Sequence, residues 1–113
     1  MRQTTYRTND TLRAAVERGL ERDGVGARGR SKWICSKIGN LIKGEPTLES
    51  VSAAEGLDDF PLFQSIQIDD ETEALIEHAY LVIRSIDPRA DGIQGALIRA
   101  AIRRAARGDG GGR

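Results

Sequence analysis

Residues 3–43 and 63–106 of this chain carry the same succession of local signals at a constant spacing of 60 residues, without a gap. Each copy reads as a short strand followed by two helices. A unit of that kind is incomplete on its own. Its strand has two unsatisfied edges, and two amphipathic helices beside it cannot cover their own apolar faces. Two units together meet both needs: the strands pair antiparallel into a ribbon, and four helices pack behind it. The expected fold class is therefore mainly α with a two-stranded antiparallel β-ribbon, both units joined in one compact domain.

The strands are read from propensity and period. Thr4-Thr5-Tyr6-Arg7-Thr8 is β-branched and aromatic with polar residues interleaved, and Leu62–Ile68 ends with Ile66 and Ile68 on one side, Ser65 and Gln67 on the other. Asn9 or Asp10 caps a first helix whose apolar positions are Leu12, Ala15, Val16 and Leu20, and Gly24 stops it. After a glycine-rich loop, Ser31 is expected to cap a second helix carrying Ile34, Ile38, Leu41 and Ile42 and ending near Gly44. Asp69 or Asp70 caps a third with Leu75, Ile76, Tyr80 and Ile83, and Asp87-Pro88 breaks it, since the residue before proline avoids the helical region. Asp91 is expected to cap a last helix with Leu97, Ile98, Ala101 and Ile102.

The organisation expected is a first unit over 1–45, an acidic linker over 46–61 with room for a short helix at Thr47–Ala54, a second unit over 62–107, and a glycine-rich disordered tail over 108–113. Few residues recur at the offset: Asp10, Ala14, Glu17, Ile38 and Ile42 return as Asp70, Ala74, Glu77, Ile98 and Ile102. The repeat rests instead on strand, caps and apolar faces staying in phase.

Net charge is zero, but its distribution is uneven. Residues 1–45 hold ten Lys or Arg against five Asp or Glu, and residues 46–80 hold nine acids and no Lys or Arg. Residues 81–113 return to seven Arg against three Asp. Local fields, not the sum, steer a polyanion. With a single cysteine, Cys35, and a single histidine, His78, the sequence offers no internal disulfide, metal cluster or thiol-based triad, and no enzyme or cofactor is expected. No run approaches the ~18 apolar residues of a membrane span. Met1–Thr5 holds no apolar signal core, so a cytoplasmic protein is expected.

A ribbon resting on helices has a second face open to solvent or a partner. Tyr6, Ile66 and Ile68, with Thr4 and Thr8, should face inward. Gln3, Thr5 and Arg7, with Ser65 and Gln67, should face outward. That outward set suits base reading: the major groove admits a two-stranded ribbon, Arg takes guanine O6 and N7, Gln takes adenine N6 and N7, and Thr or Ser serves either role. Double-stranded DNA is the expected partner.

Strand, capped helix, turn, capped helix resembles the Arc/MetJ/CopG ribbon-helix-helix superfamily, over about residues 3–43 and 63–106. The resemblance implies a tandem ribbon-helix-helix pseudo-dimer, with groove readers at Gln3, Thr5 and Arg7, then Phe63, Ser65 and Gln67. It also implies phosphate anchoring where each second helix starts, which Arg28, Arg30, Ser31 and Lys32 match in the first unit. The second unit departs from the pattern, with Phe63 at a reader position and Asp91 at the anchoring cap. Two units in one chain are similar to the TraY group of conjugative plasmids, which implies a relaxosome accessory with a relaxase-type partner or further copies of itself along DNA. A transcriptional regulator fits the same fold.

The offset places uncharged Gln67, Pro88, Ala90 and Gly92 opposite Arg7, Arg28, Arg30 and Lys32, so the first unit is expected to dominate binding to an imperfect site. Trp33 either packs internally or lies along the DNA backbone, and Cys35 reads as a small core residue. The alternative function is a protein-interaction adaptor, antitoxin-like or of partition type, docking through Glu45, Glu49, Glu55, Asp58 and Asp59.

Overall fold

A computed structural model describes residues 2–44, 59–89 and 92–107 of the chain. In order, they form strand β1 (Arg2–Thr8), helix α1 (Asp10–Arg22), a single 3₁₀ turn (Ala27–Gly29), helix α2 (Arg30–Lys43), strand β2 (Leu62–Ile68), helix α3 (Asp70–Ile86) and helix α4 (Ile93–Ala106). The linker from Glu45 to Asp58, including the short helix expected there, and the tail from Gly108 lie outside the described residues.

Both strands are seven residues long and pair antiparallel as a two-stranded sheet, Arg2 opposite Ile68 and Thr8 opposite Leu62. At the centre Thr5 faces Ser65, the two residues that the 60-residue offset equates. Alternation holds along both strands: Tyr6, Thr8, Ile66 and Ile68 are buried, whereas Gln3, Thr5, Arg7, Phe63, Ser65 and Gln67 are exposed.

Local chemistry explains the helix starts. Asn9 and Asp69 accept backbone N–H groups of Leu12 and Thr72 at 2.9 and 2.7 Å, filling N-cap roles three residues upstream. Those bonds to Asp69 hold its carboxyl below the ordinary range. The second helix of each pair begins differently. Ser31 is not the cap of α2; the helix starts one residue earlier, behind Gly29, and no side chain caps it. Gly29-Arg30 continues directly from the 3₁₀ turn, which makes a serine cap redundant. Asp91 lies outside the described residues, and α4 starts at Ile93 behind Gly92, whose positive φ of 63° suits glycine.

Packing interleaves the two halves. α2 packs on β2, α3 and α4, and α4 packs on β1, α1 and α3. The second helix of each half thus covers the strand and first helix of the other. Tyr6/Ile66, Thr8/Ile68, Leu12/Thr72, Val16/Ile76, Gly19/Ala79, Trp33/Ile93, Ile38/Ile98 and Ile42/Ile102 are buried at both members of the offset. Two expectations for α3 need correction. Its buried stripe is Thr72, Ile76, Ala79 and Ile83, which leaves Tyr80 39% exposed and Leu75 half-buried. Leu75 meets α2 at its edge, reaching within 3.9 Å of where a Cβ on Gly39 would lie.

Trp33 packs internally, against α1. A Cβ on Gly19 would come within 2.3 Å of its ring, so glycine is what lets the indole lie on the helix. The indole N–H donates to Asp23 at 2.8 Å, and Lys37 approaches the same carboxylate at 3.7 Å. The Trp33 and then the Arg22 hydrogen bonds hold the Asp23 carboxyl below its usual range.

Candidate nucleic-acid interface

The outer face of the ribbon is three cross-strand pairs in a row: Gln3 with Gln67, Thr5 with Ser65, and Arg7 with Phe63. Backbone chemistry decides how closely those pairs approach. The N–H of Gln67 donates to the Ser31 hydroxyl at 3.0 Å, and its carbonyl accepts from the Cys35 thiol at 3.5 Å. Both groups of Gln67 therefore point away from β1. In an antiparallel ladder such a pair is of the non-hydrogen-bonded type, with Cα atoms only ~4.5 Å apart and side chains close. Residues two apart share that type, so all three outward pairs are close pairs. Thr5 Oγ1 and Ser65 Oγ lie 3.4 Å apart, and the Arg7 guanidinium lies 5.3 Å from the Phe63 ring centroid.

Each strand edge is covered by the second helix of the opposite half. Ser31 and Cys35, one turn apart on α2, cover β2 at Gln67. On β1 the Arg7 carbonyl accepts from Arg99 of α4 at 3.0 Å. Gly95, at the offset position of Cys35, leaves room for that arginine, whose Nη1 would lie 3.1 Å from a Cβ there. Both contacts satisfy edge groups that would otherwise invite another strand. Neither the Cys35 nor the Arg99 role was read from the sequence, because the partners lie across the ribbon.

The basic residues distribute differently from the expectation. Arg7, grouped with Arg28, Arg30 and Lys32 by sequence, lies at the other end of the ribbon: the start of α2 meets Gln67, whereas Arg7 meets α4. Arg30 is half-buried, and one terminal nitrogen of its guanidinium donates to the exposed Glu17 carboxylate of α1 at 2.6 Å. The Ser31 hydroxyl accepts from the Gln67 N–H, a bond that does not use its own O–H donor. Arg28 and Lys32 remain exposed beside the uncapped start of α2. Beneath the ribbon, burial raises the Tyr6 phenol above its ordinary range, with Arg30 and Arg13 opposing.

Arg7 is itself held in place. Its Nε donates to the Phe60 carbonyl at 3.0 Å, and the Phe60 ring lies under Arg99 at 4.3 Å and near Arg103 at 5.9 Å. Asn9 donates to the Asp59 carbonyl at 3.1 Å, fastening the same segment to the start of α1. Sequence reading assigned residues 46–61 to a linker and missed Phe60; an aromatic next to proline, just before a strand, was the available signal.

No helix among the described residues is long and apolar enough to cross a membrane. No family model matches the chain, and neither a curated protein nor a solved structure matches it.

Proposed function

We propose that the chain binds double-stranded DNA as a tandem ribbon-helix-helix pseudo-dimer, laying the outer face of its ribbon in the major groove. The observation that carries this reading is the outer face itself. Of six exposed side chains in three close pairs, five (two Gln, one Thr, one Ser and one Arg) carry hydrogen-bonding groups matched to base edges, and the sixth is Phe63. Two further observations support it. The central pair is the one the offset equates, as a two-fold relation between the halves requires. Lys32 and Arg28 are exposed beside the start of α2, the end of the helix whose dipole favours an anion. A protein of this design serves as a conjugative relaxosome accessory or a transcriptional regulator.

The test is selection of duplexes from a random-sequence library, followed by affinity measurements over a range of salt. Arg7→Ala should cost about 1–3 kcal/mol on the selected site and relax preference at one base pair. Lys32→Ala should weaken all duplexes alike and reduce the salt slope by about one. Unchanged affinity and preference in Arg7→Ala would remove the ribbon as the reading surface.

A second reading, an interaction adaptor, is favoured by α3, where Leu81, Val82 and Ile86 are 59, 42 and 72% exposed. An adaptor would enrich no duplex over bulk DNA.

A further inference from the structure

Phe63 is 66% exposed on the face proposed to enter the groove, where an aromatic ring gains nothing from water. Its cross-strand partner is Arg7, and the pair is of the close type, with the guanidinium 5.3 Å from the ring centroid. Arg7 anchors through Nε to the Phe60 carbonyl, so that bond leaves the two terminal nitrogens as a fork. A guanidinium fork suits the O6 and N7 of guanine, and an apolar ring suits the 5-methyl group of a pyrimidine. The 5.3 Å separation lies between one and two ~3.4 Å base steps, so the two side chains can address neighbouring base pairs.

Resting on the DNA-binding reading above, we propose that Arg7 and Phe63 act as one reader of a guanine next to a 5-methylated pyrimidine, with Phe63 a specificity-determining residue. The structure supports the pairing through preorganisation as well as proximity. Arg99 and Arg103 hold the Phe60 ring, the Phe60 carbonyl holds Arg7, and Arg7 lies over Phe63, so less freedom is lost when a base step is engaged. The opposite end of the ribbon, Gln3 with Gln67, has no apolar member and should be indifferent to the methyl group.

The experiment uses the full chain and a duplex recovered by selection from a random library. Each thymine is replaced in turn by deoxyuridine, which removes only the 5-methyl group. Wild-type protein should lose about fourfold in affinity at one thymine beside a guanine, the equivalent of one buried methyl group at ~0.8 kcal/mol. Phe63→Ala should bind thymine and uracil duplexes alike, and Phe63→Leu should restore part of the difference. Because the ring is mostly exposed, these variants should keep the wild-type circular dichroism spectrum. A second arm places cytosine or 5-methylcytosine at that position, and the methylated duplex should bind better to wild-type only. Failure to enrich any duplex would overturn the DNA-binding reading itself. Enrichment of a site whose affinity ignores every 5-methyl group, or a methyl effect that persists in Phe63→Ala, would overturn the Arg7–Phe63 reader alone.

Discussion

The two ends of the ribbon are built from the same positions of a 60-residue offset but from different chemistry. At one end Gln3 faces Gln67, and α2 covers the strand edge with Ser31 and Cys35. At the other, Arg7 faces Phe63, and α4 covers the edge with Arg99. The supporting volumes are exchanged rather than copied. Cys35 and Gly39 on α2 stand where α4 has Gly95 and Arg99, and Gly19 with Trp33 stands where the second half has Ala79 with Ile93. A small residue in one half is thus answered by a large neighbour, and the reverse holds in the other half. Cores tolerate such exchanges when total volume and patterning are kept. The two halves can then keep their buried positions in common while the outer face of the ribbon becomes lopsided.

The largest effect expected from this comparison lies in the shared core. Ile38 and Ile98 are both fully buried at equivalent positions, so Ile38→Ala and Ile98→Ala should each cost about 2–5 kcal/mol in urea unfolding, and should agree within ~1 kcal/mol. A loss confined to one variant would mean that the halves do not carry the core equally.

Next in size is the exchange of volumes at Gly19. Gly19→Ala drives a Cβ into the Trp33 ring and should cost about 1–3 kcal/mol. In a Trp33→Ile background, which reproduces the Ala79–Ile93 arrangement, the same change should turn favourable, by up to ~1 kcal/mol of helix propensity. A double-mutant cycle in thermal unfolding reads the sign reversal, and additivity would break the proposed compensation.

A smaller difference separates Thr8 from its counterpart Ile68, both fully buried. Among the described residues the Thr8 hydroxyl has no hydrogen-bond partner. Thr8→Val should therefore stabilise the fold, by about 1 kcal/mol, whereas Ile68→Val should cost about 0.5–1.5 kcal/mol. The smallest effect concerns the Trp33 clasp. The Asp23 carboxyl is held below its ordinary value near 3.8, so its contribution is present above that pH and is lost as pH falls through the lowered folded value. Asp23→Asn should flatten that part of the acid-unfolding curve, and an unaltered curve would remove the clasp from the acid response.

Element order, the bounds of the second strand and inward or outward facing were legible because period and turn chemistry are local, whereas the first strand begins at Arg2, two residues before the expected Thr4. Register was not. For two equivalent antiparallel strands, any residue placed at the centre keeps the same residues outward, so alternation cannot distinguish a Thr5–Ser65 centre from its neighbours. Contacts across the ribbon, such as Ser31 and Cys35 with Gln67, settle it. The charge grouping failed for the same reason: Arg7 precedes α1 and α2 in sequence but meets α4 in space. Tyr80 was expected in the core because its spacing fits a helical stripe, yet the buried stripe runs through Thr72, Ile76, Ala79 and Ile83.

The proposed reading surface is tested most directly by a ¹H–¹⁵N NMR titration with a duplex selected from a random library. Amides of Gln3, Thr5, Arg7, Phe63, Ser65 and Gln67 should shift first and furthest, together with Ser31 and Lys32 at the start of α2. Ribbon amides that stay still while shifts gather along α3 between Leu81 and Ile86 would contradict a ribbon laid in the groove.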